Sequence, residues 1–206
     1  MRGILPRARR QRRLSTDRAE ARDQILDAAA RHIEHYGLDR TTIDDIARET
    51  GVSRATIYRY FEDRYEIVLS LIGKRARTLI EKIREIIRDE PSYAGKLTVG
   101  MIELVDRGRR DPILRSLISS DTALLGTRLL DSSHLATDLT EELWQSVLEE
   151  GVAKGEFRED LDITQACAWL SYTEMILVGR LELADVTVPQ RRRMLEAHLV
   201  PGFTRA

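Results

Sequence analysis

The chain has 206 residues, of which 42% are hydrophobic and 33% charged, enough for one large domain, or a small domain joined to a medium one, with a real core under a soluble surface. A single cysteine, Cys167, excludes an internal disulfide framework and suits a reducing compartment, and no apolar run reaches the roughly 18 residues of a membrane span. The formal net charge of −1 argues by itself against nucleic acid as a partner, but that charge is unevenly spread.

Residues 1–64 carry 14 Lys/Arg against 11 Asp/Glu, and residues 65–206 carry 19 against 23. Six arginines and no acid fall within residues 1–14, so residues 15–64 taken alone are acidic by three charges. Residues 1–17 therefore read as a flexible basic arm. Such an arm can reach phosphates or a minor groove, and the same composition also suits a solvated tail. The arm lacks the apolar centre of a secretory signal, which points to a cytoplasmic protein.

From Thr16 the pattern turns helical. Ile25, Ala28, Ala29, Ile33 and Tyr36 follow i, i+3, i+4 spacing, and Gly37 is placed as a stop. In "TTIDDIARETG", Thr42 can cap a helix with Asp45 in a capping-box position; Ile43, Ile46 and Ala47 face inward, and Gly51 ends the helix. Ser53 caps again, with Ile57 and Phe61 on one face of the helix that follows. A longer amphipathic helix begins near Asp63 and runs to about Arg88. Few β-branched runs and only 5 prolines are present, and no strand pattern competes, so the class is all-α. A helix over "SYAGKLTVGMIELVDRG" should stop at Gly108, and another starts with Asp111 as cap and Pro112 in the first turn. A long pattern covers about 121–150, interrupted near Ser132 and Ser133, and "EGVAKGEFREDLD" is a loop. Asp162 can then cap "ITQACAWLSYTEMILVGRLEL", apolar nearly all round, so both its faces should be covered. The last helix, about 189–199, opens with Pro189.

Three short helices in about 40 residues, two joined by a tight turn containing Gly, outline a helix-turn-helix over residues 18–64. The second helix of such a unit presents its N-terminal half to base edges in the major groove. That half holds Ser53, Arg54, Ala55, Thr56 and Tyr58. Arg54 can pair bidentately with a guanine, and the Ala55 and Thr56 methyls can meet a thymine methyl. Tyr58 can stack at the groove edge or bond a phosphate, while Thr42, Tyr60 and Arg64 are placed for the sugar–phosphate backbone. A second reading stays open on spacing alone: Tyr58 and Tyr60 can simply pad a small core.

The stretch "TTIDDIARETGVSRATIYRYFEDRYEIV" resembles the TetR family of transcriptional regulators. The likeness rests on the Thr-capped helix, the Ile-Ala pair, the "GVS" turn, the "T-x-Y-x-Y-F" helix and the charged link into a long fourth helix, and spans about residues 20–70. Arg64 stands where the family most often has a phosphate-gripping Lys, and Asp44 stands at a position that is basic in some members. "EELWQSVLEEGVAKGEFREDLD" followed by an apolar helix is similar to the family's approach to its dimerising helices. The resemblance implies an all-helical homodimer whose larger C-terminal domain, residues 65–206, encloses a small-molecule pocket and dimerises. It implies further that ligand shifts the fourth helix and so the spacing of the recognition helices, most simply as a repressor on a palindromic operator. Met101, Leu104, Val105, Leu125, Trp144 and Tyr172 are bulky residues on the helices that line the family's cavity, although core packing explains each equally well. Such a lining favours a lipophilic ligand, an acyl chain or sterol-like molecule.

Other chemistry is thin. His32 and His35 have a spacing that could hold a metal, without a third ligand in view, and Cys167 reads as a buried small hydrophobe. No phosphate loop or nucleophile motif is present, so neither an enzyme nor a cofactor is expected. Two other readings are a ligand-independent DNA-binding protein whose second domain only dimerises or docks a partner, and a helical metal enzyme using the two histidines. Glu174, an acid among apolar residues, is costly unless partnered; it can bond across a dimer or face a pocket.

Overall fold

The structure, a computed structural model, describes residues 14–116, 134–179 and 186–204. It divides into two compact units, Met1–Leu71 and Ile72–Ala206. The division falls seven residues beyond Arg64, within a helix, because the first turns of that helix bury Ile67, Val68 and Leu71.

The first unit holds α1 (Arg18–Tyr36), α2 (Ile43–Thr50), α3 (Arg54–Tyr58) and the start of α4 (Arg64–Ile87). Each short helix is bounded by local chemistry. Asp17 accepts hydrogen bonds from the Ala19 and Glu20 amides at the head of α1. At the head of α2, Thr42 and Asp45 form the expected reciprocal capping box. Gly51 ends α2 with φ of 81°, in the left-handed region where a side chain would be strained. Ser53 then accepts from the Thr56 amide to open α3. Ala21, Ile25, Ala28, Ala29, Ile46, Ile57 and Phe61 make the core.

The second unit contains the rest of α4, then α5 (Tyr93–Arg110), α6 (Pro112–Ser116), α7 (Leu135–Ala153), α8 (Ile163–Gly179) and α9 (Val188–Met194). A π-helical turn, Leu195–Leu199, and a 3-10 turn, Val200–Gly202, follow. Among the described residues there is no strand, only a single bridge between Phe157 and Thr204. The start of the pattern expected over 121–150, with its break at Ser132 and Ser133, lies outside the described residues.

Helix α5 continues to Arg110 instead of stopping at Gly108, because buried Gly108 is held among tertiary neighbours. Asp111 ends α5 and also accepts from the Ile113 and Leu114 amides, so one residue joins two helices. At Gly100, an added Cβ would lie 2.5 Å from Trp144 Cη2, so glycine is what lets the buried Trp144 ring lie against α5. Asp162 caps α8 through the Gln165 amide, and Thr187 with Gln190 forms a capping box ahead of α9.

The all-round apolarity of α8 resolves into three stripes. Ala166, Cys167 and Leu170 enter the core. Ser171, Glu174, Met175 and Val178 line a cavity. Trp169, Tyr172 and Ile176 remain 61%, 53% and 59% exposed, so within one chain the expectation of two covered faces is not met.

Candidate nucleic-acid interface and ligand cavity

In the first unit, the capped start of α3 sends Ile57 and Phe61 into the core and leaves Arg54, Ala55 and Tyr58 exposed on other sides of the helix. That division is what a five-residue helix needs in order to be anchored and to present side chains at once. The tyrosine padding reading therefore fails for Tyr58; Tyr60 is half-buried, with the Arg18 guanidinium 5.7 Å from its ring centre.

Arg54 is not idle. Its guanidinium donates to Asp44 Oδ2 at 2.8 Å and to the Tyr58 hydroxyl at 3.1 Å. Asp44 thus orients the side chain best suited to a guanine, at an exposed position where an acid also repels phosphate. Thr42 is more heavily engaged than the sequence suggests. Its hydroxyl accepts from the Asp45 amide at 3.2 Å and donates its proton to the Asp45 carboxylate at 2.6 Å. Those bonds from Thr42 hold the Asp45 carboxyl below its ordinary value. A phosphate contact through that hydroxyl requires its proton to turn away from Asp45.

Arg64 departs furthest from expectation. It is half-buried, donating from Nε to the Thr41 carbonyl at 2.6 Å and from a terminal nitrogen to the Leu38 carbonyl. Those carbonyls belong to the turn between α1 and α2, and the arginine fork satisfies both at once. The side chain read from sequence as a phosphate contact thus also clasps the entry to α2. Arg22 has a parallel role, bonding the Tyr60 carbonyl and Glu66 and lying 4.0 Å from the Phe61 ring centre.

Within the second unit lies a cavity of about 130 Å³. Its wall draws Ala76, Leu79 and Ile80 from α4, Leu104 and Gly108 from α5, Leu114 from α6, Ala136, Leu139 and Thr140 from α7, and the second stripe of α8. Glu174 is its one acid among the described residues. The Trp144 indole N–H donates to Glu174 Oε1 at 2.5 Å, and the Thr140 hydroxyl donates to Oε2 at 2.9 Å. Burial pushes the Glu174 carboxyl up to about 7, with those two hydrogen bonds pulling the other way. Burial also pushes the Cys167 thiol up to about 12, consistent with a small core residue.

Residues 25–71 match the family model described as bacterial regulatory proteins, tetR family. An uncharacterised HTH-type transcriptional regulator of Mycobacterium tuberculosis is 34% identical over 140 residues, 68% of this chain and 67% of that protein. The chain belongs to the TetR family. The HTH-type transcriptional repressor KstR2 of Rhodococcus jostii is 29% identical over 166 residues, covering 76% of this chain and 78% of its own. Among solved structures, the resorcinol complex of RolR shares the fold with a TM-score of 0.70 at 15% identity, over 90% of this chain and 88% of that one. This TetR-family chain is thus a helix-turn-helix transcriptional regulator, all-helical among its described residues.

Of the six side chains named from sequence for the pocket of this TetR-family protein, Leu104 lines the cavity. Met101, Val105 and Trp144 are wholly buried in the surrounding core, Trp144 acting only through its bond to Glu174. Tyr172 is exposed on a different stripe of α8, and Leu125 lies outside the described residues. Bulk alone selected core residues. The signal that finds the wall is the i, i+3, i+4, i+7 set of Ser171, Glu174, Met175 and Val178, which isolates an acid and a hydroxyl on one side of an apolar helix. His32 and His35 both lie against the Tyr36 ring, and no group of three metal-ligating side chains exists among the described residues. No described helix is long and apolar enough to cross a membrane.

Proposed function

We propose that this protein is a cytoplasmic repressor that binds a palindromic operator as a homodimer and is controlled by a small lipophilic molecule held in the cavity of its second unit. Thr42, Ser53, Arg54, Ala55, Thr56, Tyr58, Tyr60 and Arg64 form the DNA-facing set, Arg64 also bracing the turn before α2. The observation that carries the ligand-controlled reading is the cavity wall. The helix that supplies Ala76, Leu79 and Ile80 to it is the one that begins at Arg64. A molecule that prefers one setting of that helix shifts the equilibrium of the chain by its differential affinity, and by no more. The likeness to a repressor such as KstR2 supports the sign of the regulation.

Selection of bound fragments from genomic DNA, followed by footprinting, is the direct test. A symmetric protected site, released by a compound that also raises the melting temperature of the protein, is the expected result. An asymmetric site, or a site whose occupancy no stabilising compound alters, overturns it in favour of a ligand-independent DNA-binding protein.

A further inference from the structure

Apart from the apolar groups, the cavity wall offers three polar side chains among the described residues, Thr140, Ser171 and Glu174, and no Lys, Arg or His. The Glu174 carboxylate has about four lone-pair sites, of which the Trp144 indole and Thr140 hydroxyl use at most two. The Thr140 proton is also within reach of the Ala136 carbonyl at 3.0 Å, so its hold on Glu174 is shared. Ser171, one helical turn before Glu174, is buried and its hydroxyl has no hydrogen-bond partner among the described residues. Residues three apart on a helix are neighbours, so one small polar group can meet both. It would donate to Glu174 and accept from Ser171. Above a pH of about 7, where Glu174 is ionised, a carboxylate or phosphate placed there would face a like charge, with no cation among the described wall residues to offset it.

Size narrows the ligand further. An apolar cavity of about 150 Å³ takes a benzene ring, and this one is close to that, so it holds a single ring or short chain as shaped. Building on the reading of the cavity as the ligand site, we infer that it selects a ring-sized apolar molecule carrying a hydroxyl, which docks between Glu174 and Ser171, and that it excludes free carboxylic acids. The expectation of an acyl or sterol-like ligand thereby gives way to a smaller, neutral, hydrogen-bond-donating one.

Three probes of one shape separate the possibilities: 4-ethylphenol, 4-ethylbenzoate and ethylbenzene, titrated calorimetrically into the full chain at pH 8. The phenol is expected to bind at least about tenfold more tightly than the benzoate, a difference of about 1.4 kcal/mol. Glu174→Gln should strengthen benzoate binding and bring the two within roughly threefold, since a neutral amide lifts the repulsion. Ser171→Ala should weaken the phenol alone, and keeps the test available if the Gln variant does not fold. Ala136→Phe, which fills the cavity, should abolish all three. Benzoate binding wild type as well as the phenol overturns the inference, as does a ratio unmoved by Glu174→Gln. If the three probes bind without preference, the hydroxyl requirement fails while the cavity stands as a ligand site. If none binds, the ligand-site reading fails and takes the inference with it.

Discussion

In the base-reading role proposed for Arg54, its bond to Asp44 governs how freely the guanidinium can meet a base. The pair is exposed, so its contribution to folding is small, and its effect is on the guanidinium's direction. Arg54→Ala should lose about 1–3 kcal/mol of discrimination at one base position, the worth of a bidentate pair, as read from competition between single-base operator variants. Asp44→Ala should tighten binding to all DNA by removing a negative charge near phosphate, while costing roughly 1 kcal/mol of that same discrimination because Arg54 is no longer oriented. A variant whose base preference matches wild type removes Asp44 from the account. Glu174 makes the second residue-level prediction. Its carboxyl keeps its proton to about 7 in the folded chain, against an ordinary value of 4.5. Between those values the unfolded chain has released a proton that the folded chain retains. Stability therefore falls as pH rises through that window, and the loss, on the order of 3 kcal/mol, is complete above it. Glu174→Gln should flatten the slope in urea melts taken across the same range.

At the level of helices, the sequence is most legible where the cause is local. The Thr42–Asp45 box, the Gly51 stop, the Ser53 cap and the Asp162 cap each depend on residues within four positions, and each stands in the structure. The clasp made by Arg64 was not legible, because the Leu38 and Thr41 carbonyls it serves lie more than 20 positions away and become its partners only once α4 packs. Gly108 misled for a similar reason: a glycine read as a stop is retained inside α5, where its bare surface faces the Val178 side chain. Gly100 shows the same dependence more sharply. Gly100→Ala improves helix propensity by about 1 kcal/mol, yet drives a methyl into the Trp144 ring, whose own indole is fixed on Glu174. Overpacking of that kind costs about 1–3 kcal/mol, so a net loss of stability in thermal melts is expected, with raised solvent access of Trp144 read from its fluorescence.

For the molecule as a whole, charge and exposed apolar surface point outward to partners. Residues 15–64 are acidic on balance and residues 1–14 hold six arginines, so the proposed regulator takes its general attraction to DNA from that arm and its base selectivity from α3. The uneven charge is visible in the sequence because it is a matter of counting. What the sequence did not make visible was which side of α8 stays bare, since a helix apolar all round gives no moment to read. The structure leaves Trp169, Tyr172 and Ile176 on one stripe, at i, i+3 and i+7 spacing, each more than half exposed. Three large apolar side chains on one stripe are costly in water; in the proposed homodimer a second copy using the same stripe would cover them by two-fold symmetry. Trp169→Glu combined with Ile176→Glu should then give a monomer in sedimentation at micromolar concentration, with helical content and the Trp144 environment retained. Affinity for the palindrome should fall towards that for a half-site, by a factor of about 10²–10⁴, because the second half-site no longer profits from the first. A double variant that still sediments as wild type, or that loses palindrome and half-site binding equally, would overturn this stripe as the contact of the proposed dimer.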